Sequence, residues 1–248
     1  ITNNTLDSNG GTYSDGIHCS IGGSGGPVIL EHNTVTDSDD DGIYLEGATD
    51  AFLTDVTIDT VGGDALYFSG CSNVTIDSLT IQAADGRGIY IEGADEAILA
   101  DILIDGAGGR GIYARGSSLS LTNATISGCG DYAVYAADVF NRPGGLTLRG
   151  CTIENNGGGV WWGDWSAATG DAVIDGNAIR NNGGYGLKLY LAWGTSATIT
   201  YTTITNCSDD AIYLDGATDA FLADILIDGA GGRGIYARGS SLSLTNAT

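Results

Sequence analysis

The chain has 248 residues, 42% of them apolar, with 41 glycines and only 2 prolines, which allows a core and excludes Pro/Gly-rich disorder and a collagen-like repeat. Against 9 basic residues stand 31 acidic ones, for a net charge of −22, a field that repels phosphate backbones and anionic lipid surfaces and excludes nucleic-acid binding. No apolar run approaches the roughly 20 residues of a spanning helix, so no membrane insertion is expected in this segment.

Short repeats begin at Val28, Ala51, Val74, Ala97, Leu119, Leu146, Ala172, Ala197 and Ala220, with lengths of 23, 23, 23, 22, 27, 26, 25, 23 and 22 residues. Self-similarity at this period marks a solenoid. Each rung opens with a β-branched strand signal that places an aliphatic residue at its third and eighth positions, as Leu53 and Ile58, Ile76 and Ile81, or Leu148 and Ile153. These predict stacked columns facing a narrow core. A second strand follows, as Ile43-Tyr44-Leu45 or Ile89-Tyr90-Ile91, whose alternation sends the aliphatics inward and the aromatic outward. Between the strands, clusters such as Asp39-Asp40-Asp41-Gly42 and Asn155-Asn156-Gly157-Gly158 supply corners that tolerate a left-handed backbone.

No sustained 3.6 periodicity is present, and neither a leucine-rich pattern nor a six-residue left-handed repeat fits. The rungs, as in residues 177–187 with Asn177-Ala-Ile-Arg-Asn-Asn-Gly-Gly-Tyr-Gly-Leu187, resemble the right-handed parallel β-helix (pectate-lyase-like) superfamily. The resemblance implies an all-β, right-handed parallel β-helix solenoid of about ten rungs of 22–27 residues, on a scaffold that hosts lyases, hydrolases, epimerases, phage spikes, adhesins and filaments.

A longer repeat overlies the short one: residues 99–125 reappear unchanged as 222–248. One domain is expected over 1–248, made of two five-rung blocks (about 1–118 and 119–241) and the opening of a third (242–248). The expectation is a piece of a longer array that self-associates by end-to-end stacking or lateral packing. Five cysteines (Cys19, Cys71, Cys129, Cys151, Cys207) fall at different places in their rungs without zinc or disulfide spacing, and read as small buried hydrophobes. Sequons at Asn3, Asn73, Asn123, Asn206 and Asn246 fit a glycosylated surface protein.

The most regular outward feature is the aromatic column Tyr44, Tyr67, Tyr90, Tyr113, Tyr135, Trp161, Tyr213 and Tyr236, completed by His18 and Lys188. It can serve as an in-register stacking ladder, a packing face between chains or a surface for sugar rings. All four tryptophans and the sole lysine fall between Leu146 and Ser196. There Trp162 points inward, while Trp161, Trp165, Lys188, Trp193 and Arg142 are candidates for a glycan platform. Asp37, Asp39, Asp40, Asp41, Asp209 and Asp210 are candidate calcium ligands or paired carboxylates. Polygalacturonases of the resembled fold carry Gly-His-Gly and Arg-Ile-Lys after their Asp pair, whereas here His18 and His32 precede the Asp run. Arg87, Arg110 and Arg233 recur at one place before Gly-Ile-Tyr, which marks a structural role rather than a unique lyase base. The reading is a non-catalytic extracellular or cell-surface rod, such as a surface-layer, adhesin-stalk or filament segment. The alternatives are a polysaccharide lyase or hydrolase and a carbohydrate-binding module. No cofactor is required by these readings, with calcium as the one candidate.

Overall fold

The aliphatic columns are the core of a parallel β-solenoid of about nine turns, seen in a computed structural model that describes residues 1–7, 11, 14–22, 25–137, 145–163, 167–168 and 170–248. No helix occurs among the described residues. Each residue pairs with its counterpart one rung on: Leu53 with Ile76, Ile58 with Ile81, Tyr44 with Tyr67. A 16-stranded sheet carries the first strand signal of every rung and a ten-stranded sheet the second. Leu30, Leu53, Ile76, Leu99, Leu121 and Leu148 are fully buried, as are Val35, Ile58, Ile81, Ile104, Ile126 and Ile153.

Among the described residues the rungs turn at left-handed corners of three kinds. The first lies at a rung's fifth position (His32, Asp55, Ser78, Asp101, Asn123, Tyr201), the second at its tenth (Asp37, Thr60, Ala83, Asn155, Asn181, Asn206), and the third follows the aromatic strand as Gly47, Gly70, Gly93 and Gly116. A left-handed L-residue costs roughly 1–2 kcal/mol, least for Asn and Asp, hence the Asn/Asp/Gly corners. Thr60, Ala83 and Tyr201 are held left-handed without that chemistry.

The residue after each corner turns inward, and four of the cysteines take this place, buried as small hydrophobes at three different corners. Cys71 follows Gly70, Cys129 follows Gly128, Cys151 follows Gly150 and Cys207 follows Asn206. Each thiol donates weakly to the carbonyl two residues back, at 3.9, 3.7, 3.4 and 3.9 Å respectively. Ser117 and Thr202 make the same contact with hydroxyls, at 3.2 and 2.8 Å. All five cysteines are free, and burial pushes Cys129 and Cys207 up to about 11, so both are protonated and unreactive at neutral pH.

Candidate functional site

Outward residues of the ten-stranded sheet are brought into one ladder by the in-register pairing. Ring centroids lie 4.7 Å apart for His18 and Tyr44, 4.9 Å for Tyr44 and Tyr67, 4.8 Å for Tyr67 and Tyr90, and 5.1 Å for Tyr90 and Tyr113. It continues through Tyr135 to Trp161 at 5.6 Å and resumes between Tyr213 and Tyr236 at 5.0 Å. Such pairs add about 0.5–1.5 kcal/mol each beyond their buried area.

The ladder is less open than alternation alone suggests. Its tyrosines are half-buried and Tyr90 is buried, because a second column, three residues before each aromatic, folds over the rings. That column reads Asp15, Asp41, Asp64, Arg87, Arg110, Tyr132, Gly158, Tyr185, Asp210 and Arg233. Asp64 accepts the Arg87 backbone N–H at 2.7 Å and its guanidinium at 2.6–3.0 Å, and that guanidinium lies 3.7 Å from the Tyr90 ring centre. The same clip joins Asp210 and Arg233, whose guanidinium lies 3.8 Å from Tyr236. Burial raises the Asp210 pKa, but the Arg233 N–H and guanidinium outweigh it and hold the carboxyl below the usual carboxylate range. Tyr132 lies over Gly158, where a Cβ would sit 2.4 Å from the ring, so any larger residue there would displace the Tyr132 ring. Only a fixed three-residue offset in the sequence signals this column, with residue types too varied to form a motif.

Lys188 interrupts the ladder. It pairs in register with Trp161 and is buried, its Nζ 3.8 Å from the Trp161 ring centre, 4.2 Å from Tyr185 and 5.5 Å from Tyr213. Desolvation lowers its pKa, opposed by the Asp209 and Asp210 carboxylates. Trp161 and Lys188 thus come together as expected. Trp193, 89% exposed, stands in the turn after the Lys188 strand, and Trp165 and Arg142 lie outside the described residues. Trp162 points inward and is fully buried.

The candidate calcium ligands do not form one site. Asp37 and Asp39 line a shallow groove of about 360 Å³ with Thr60 and Asp85. Asp209 is exposed, and Asp210 does not fit a cation because Arg233 holds both its oxygens. Asp40 and Asp41 meet Asp15, a residue not singled out in the sequence, with one carboxylate oxygen of each within 4.8 Å of the others. Asp15 also meets His18 Nδ1 at 2.6 Å and accepts the Asp41 N–H at 3.2 Å. Asp41 in turn accepts the Asp64 N–H at 2.7 Å. Oxygen donors of this kind suit a hard divalent cation.

Burial pushes Asp41 up to about 6, with Asp64, Asp15 and Asp40 adding repulsion against the Asp64 N–H bond. A folded carboxyl that holds its proton more tightly than the unfolded one stabilises fully below about pH 4, and this is lost as pH rises toward 6. Asp41→Asn, which keeps an acceptor for the Asp64 N–H, is expected to raise stability at pH 7 by about 1 kcal/mol after solvent screening of a half-buried group. At pH 4 the gain should vanish, and thermal unfolding across pH 4–8 measures it. An equal gain at both ends would assign the effect to something other than this charge.

The model of the right handed beta helix region family matches residues 15–170 and 166–248. No curated protein and no solved structure matches the chain significantly. With parallel rungs, an in-register core and a family match over most of its length, the chain belongs to the right-handed β-helix family.

Proposed function

We propose that the chain is a non-catalytic structural rod segment of an extracellular or cell-surface protein, with stiffness rather than turnover as its task. The observation that supports this best is the use of its polar chemistry between rungs. Arg87, Arg110, Arg115, Arg180, Arg233 and Arg238 each pair with a carboxylate on an adjacent rung. Arg87, Arg110 and Arg233 also lie on aromatic rings. Groups repeated as clips do not converge on one reacting atom, as a catalytic site requires. The exact recurrence of residues 99–125 as 222–248 supports a modular array that associates with copies of itself, and the ten-stranded sheet spans roughly 45 Å at about 4.8 Å per rung. Electron microscopy with limited proteolysis of the native material is expected to show extended, protease-resistant rods without turnover of acidic polysaccharides. Compact, protease-sensitive particles would overturn the reading.

A second reading rests on the Asp15, Asp40, Asp41 and His18 group: a polysaccharide lyase or hydrolase, with or without calcium. It requires activity on polysaccharides that Asp41→Asn abolishes, and a calcium-dependent form of it further requires that chelation lower the melting temperature of the wild type but not of that variant.

A further inference from the structure

The outer face of the 16-stranded sheet carries an uncharged row on a strongly acidic molecule. Ile29, Phe52, Ile98 and Phe221 are 41–49% exposed, and the in-register pairing sets all four in one line along the solenoid axis. The positions between them hold threonine, serine or valine, so no charge falls in the row from Ile29 to Phe221, although the chain has 31 acidic residues. Carboxylates begin two residues to either side, as Asp50 and Glu96 on one flank and Glu31 and Asp77 on the other. Arg149 is the one base on these flanks among the described residues. An apolar centre inside a polar rim is the plan of a protein interface.

The spacing, the charge pattern and the area all fit a second copy of this chain as the partner. A partner with the same rung spacing, about 4.8 Å, keeps residue facing residue along the whole row. A two-fold axis running along the row sets each of its residues against its own copy, Phe52 on Phe52 and Phe221 on Phe221, the isologous contact most common in homo-oligomers. It also sets each flank opposite the other flank of the same rung. Asp50 then faces Thr54, Glu96 faces Ala100 and Asp77 faces Asn73. On every rung of the row except that of Val173, where Asp171 faces Asp175, at most one of the two flank positions carries a carboxylate. The row spans roughly 40 Å and the five-residue strand Pro27–Glu31 about 16 Å across it. That gives roughly 600 Å² per copy and 1,200 Å² in all, the lower edge of a specific interface.

We propose that this row is the contact by which two copies of the chain lie side by side and parallel, with the outer faces of their 16-stranded sheets together. The proposal rests on the rod reading above and names the surface through which rods join. It shares no residue with the aromatic ladder. The apolar row drives the contact, and the net charge of −22 on each copy opposes it. Salt therefore strengthens the association, because the range of the repulsion falls from about 10 Å at 0.1 M to about 3 Å at 1 M ionic strength.

Sedimentation equilibrium of the whole chain in about 0.1 M and about 1 M NaCl tests this, alongside electron microscopy of the same samples. The wild type is expected to dimerise at least about tenfold more tightly at the higher salt. Phe52→Thr combined with Phe221→Thr installs the residue that the row already uses at Thr75 and Thr198. It should weaken the dimer about a hundredfold, and should melt close to the wild type because both side chains point outward. Ile98→Thr alone, a smaller change in the same row, should weaken it about threefold to tenfold. Dimerisation of the double variant as tight as that of the wild type, or association that is tighter at low salt, would overturn the proposal. Extended rods that stay monomeric at both salt concentrations would also overturn it, and would leave the rod reading standing.

Discussion

Trp162→Ala is expected to destabilise the solenoid by about 3–5 kcal/mol, the range for removing a large aromatic from a packed core. Trp162 is fully buried and pairs in register with Ala136 on one side and Leu189 on the other. The small Ala136 leaves the indole its room, so its loss opens a cavity that neither neighbour can fill. Trp162→Phe should cost far less. Among the described residues the buried indole Nε1 has no hydrogen-bond partner, a burden of about 1–3 kcal/mol that phenylalanine removes while keeping much of the volume. Chemical denaturation of the two variants measures the difference. A phenylalanine variant as damaged as the alanine one would mean that the indole N–H is satisfied after all.

The second large effect is expected at Asn156, which replaces backbone pairing where the chain turns its second corner. Asn156 Oδ1 accepts the Cys129 N–H at 2.9 Å, and its Nδ2 donates to the Ile126 carbonyl at 3.0 Å and to Asn182 Oδ1 at 3.2 Å. Asn182 repeats the pattern one rung on, accepting the Asn156 N–H at 3.1 Å and donating to the Ile153 carbonyl at 3.1 Å. Asn156→Ala leaves a buried backbone N–H and a carbonyl unpaired, for a loss of about 2–4 kcal/mol. Hydrogen exchange should localise it, with protection at Cys129 falling before that of distant rungs. Earlier rungs do not need this side chain, because Val61 and Ala84 pair directly through the same corner. Unchanged protection at Cys129 in the Asn156→Ala chain would show that water or backbone takes over.

The fold was legible because the relevant signals are local and repeated. The aliphatics at rung positions three and eight, the alternation around each tyrosine and the Gly/Asn/Asp corners each follow from backbone geometry that any rung obeys alone. Four cysteines each follow a corner, but residue spacing hid this because three different corners are used: the third before Cys71, the second before Cys129 and Cys207, and the first before Cys151. The candidate site was legible only in part. Trp161 and Lys188 meet because they share a register position, but the rings are covered by Arg87, Arg110 and Arg233, and Asp15 joins Asp40 and Asp41 from the rung before. Those contacts run between rungs.

The repeated segment separates the two kinds of information. Residues 99–125 and 222–248 are identical and take the same backbone, with φ 53° at Asp101 against 54° at Asp224 and 54° at Asn123 against 49° at Asn246. Sequence by itself determined the strand, the corner and the inward face. The environment was set elsewhere, by the neighbouring rungs: the position one rung before Arg110 is Arg87, whereas the position one rung before Arg233 is Asp210. Arg110 finds Asp131 on the following rung, while Arg233 finds Asp210 on the preceding one. A side chain's partners in a solenoid sit one rung away, so only the stacked structure decides which charge, ring or solvent each of two identical residues meets.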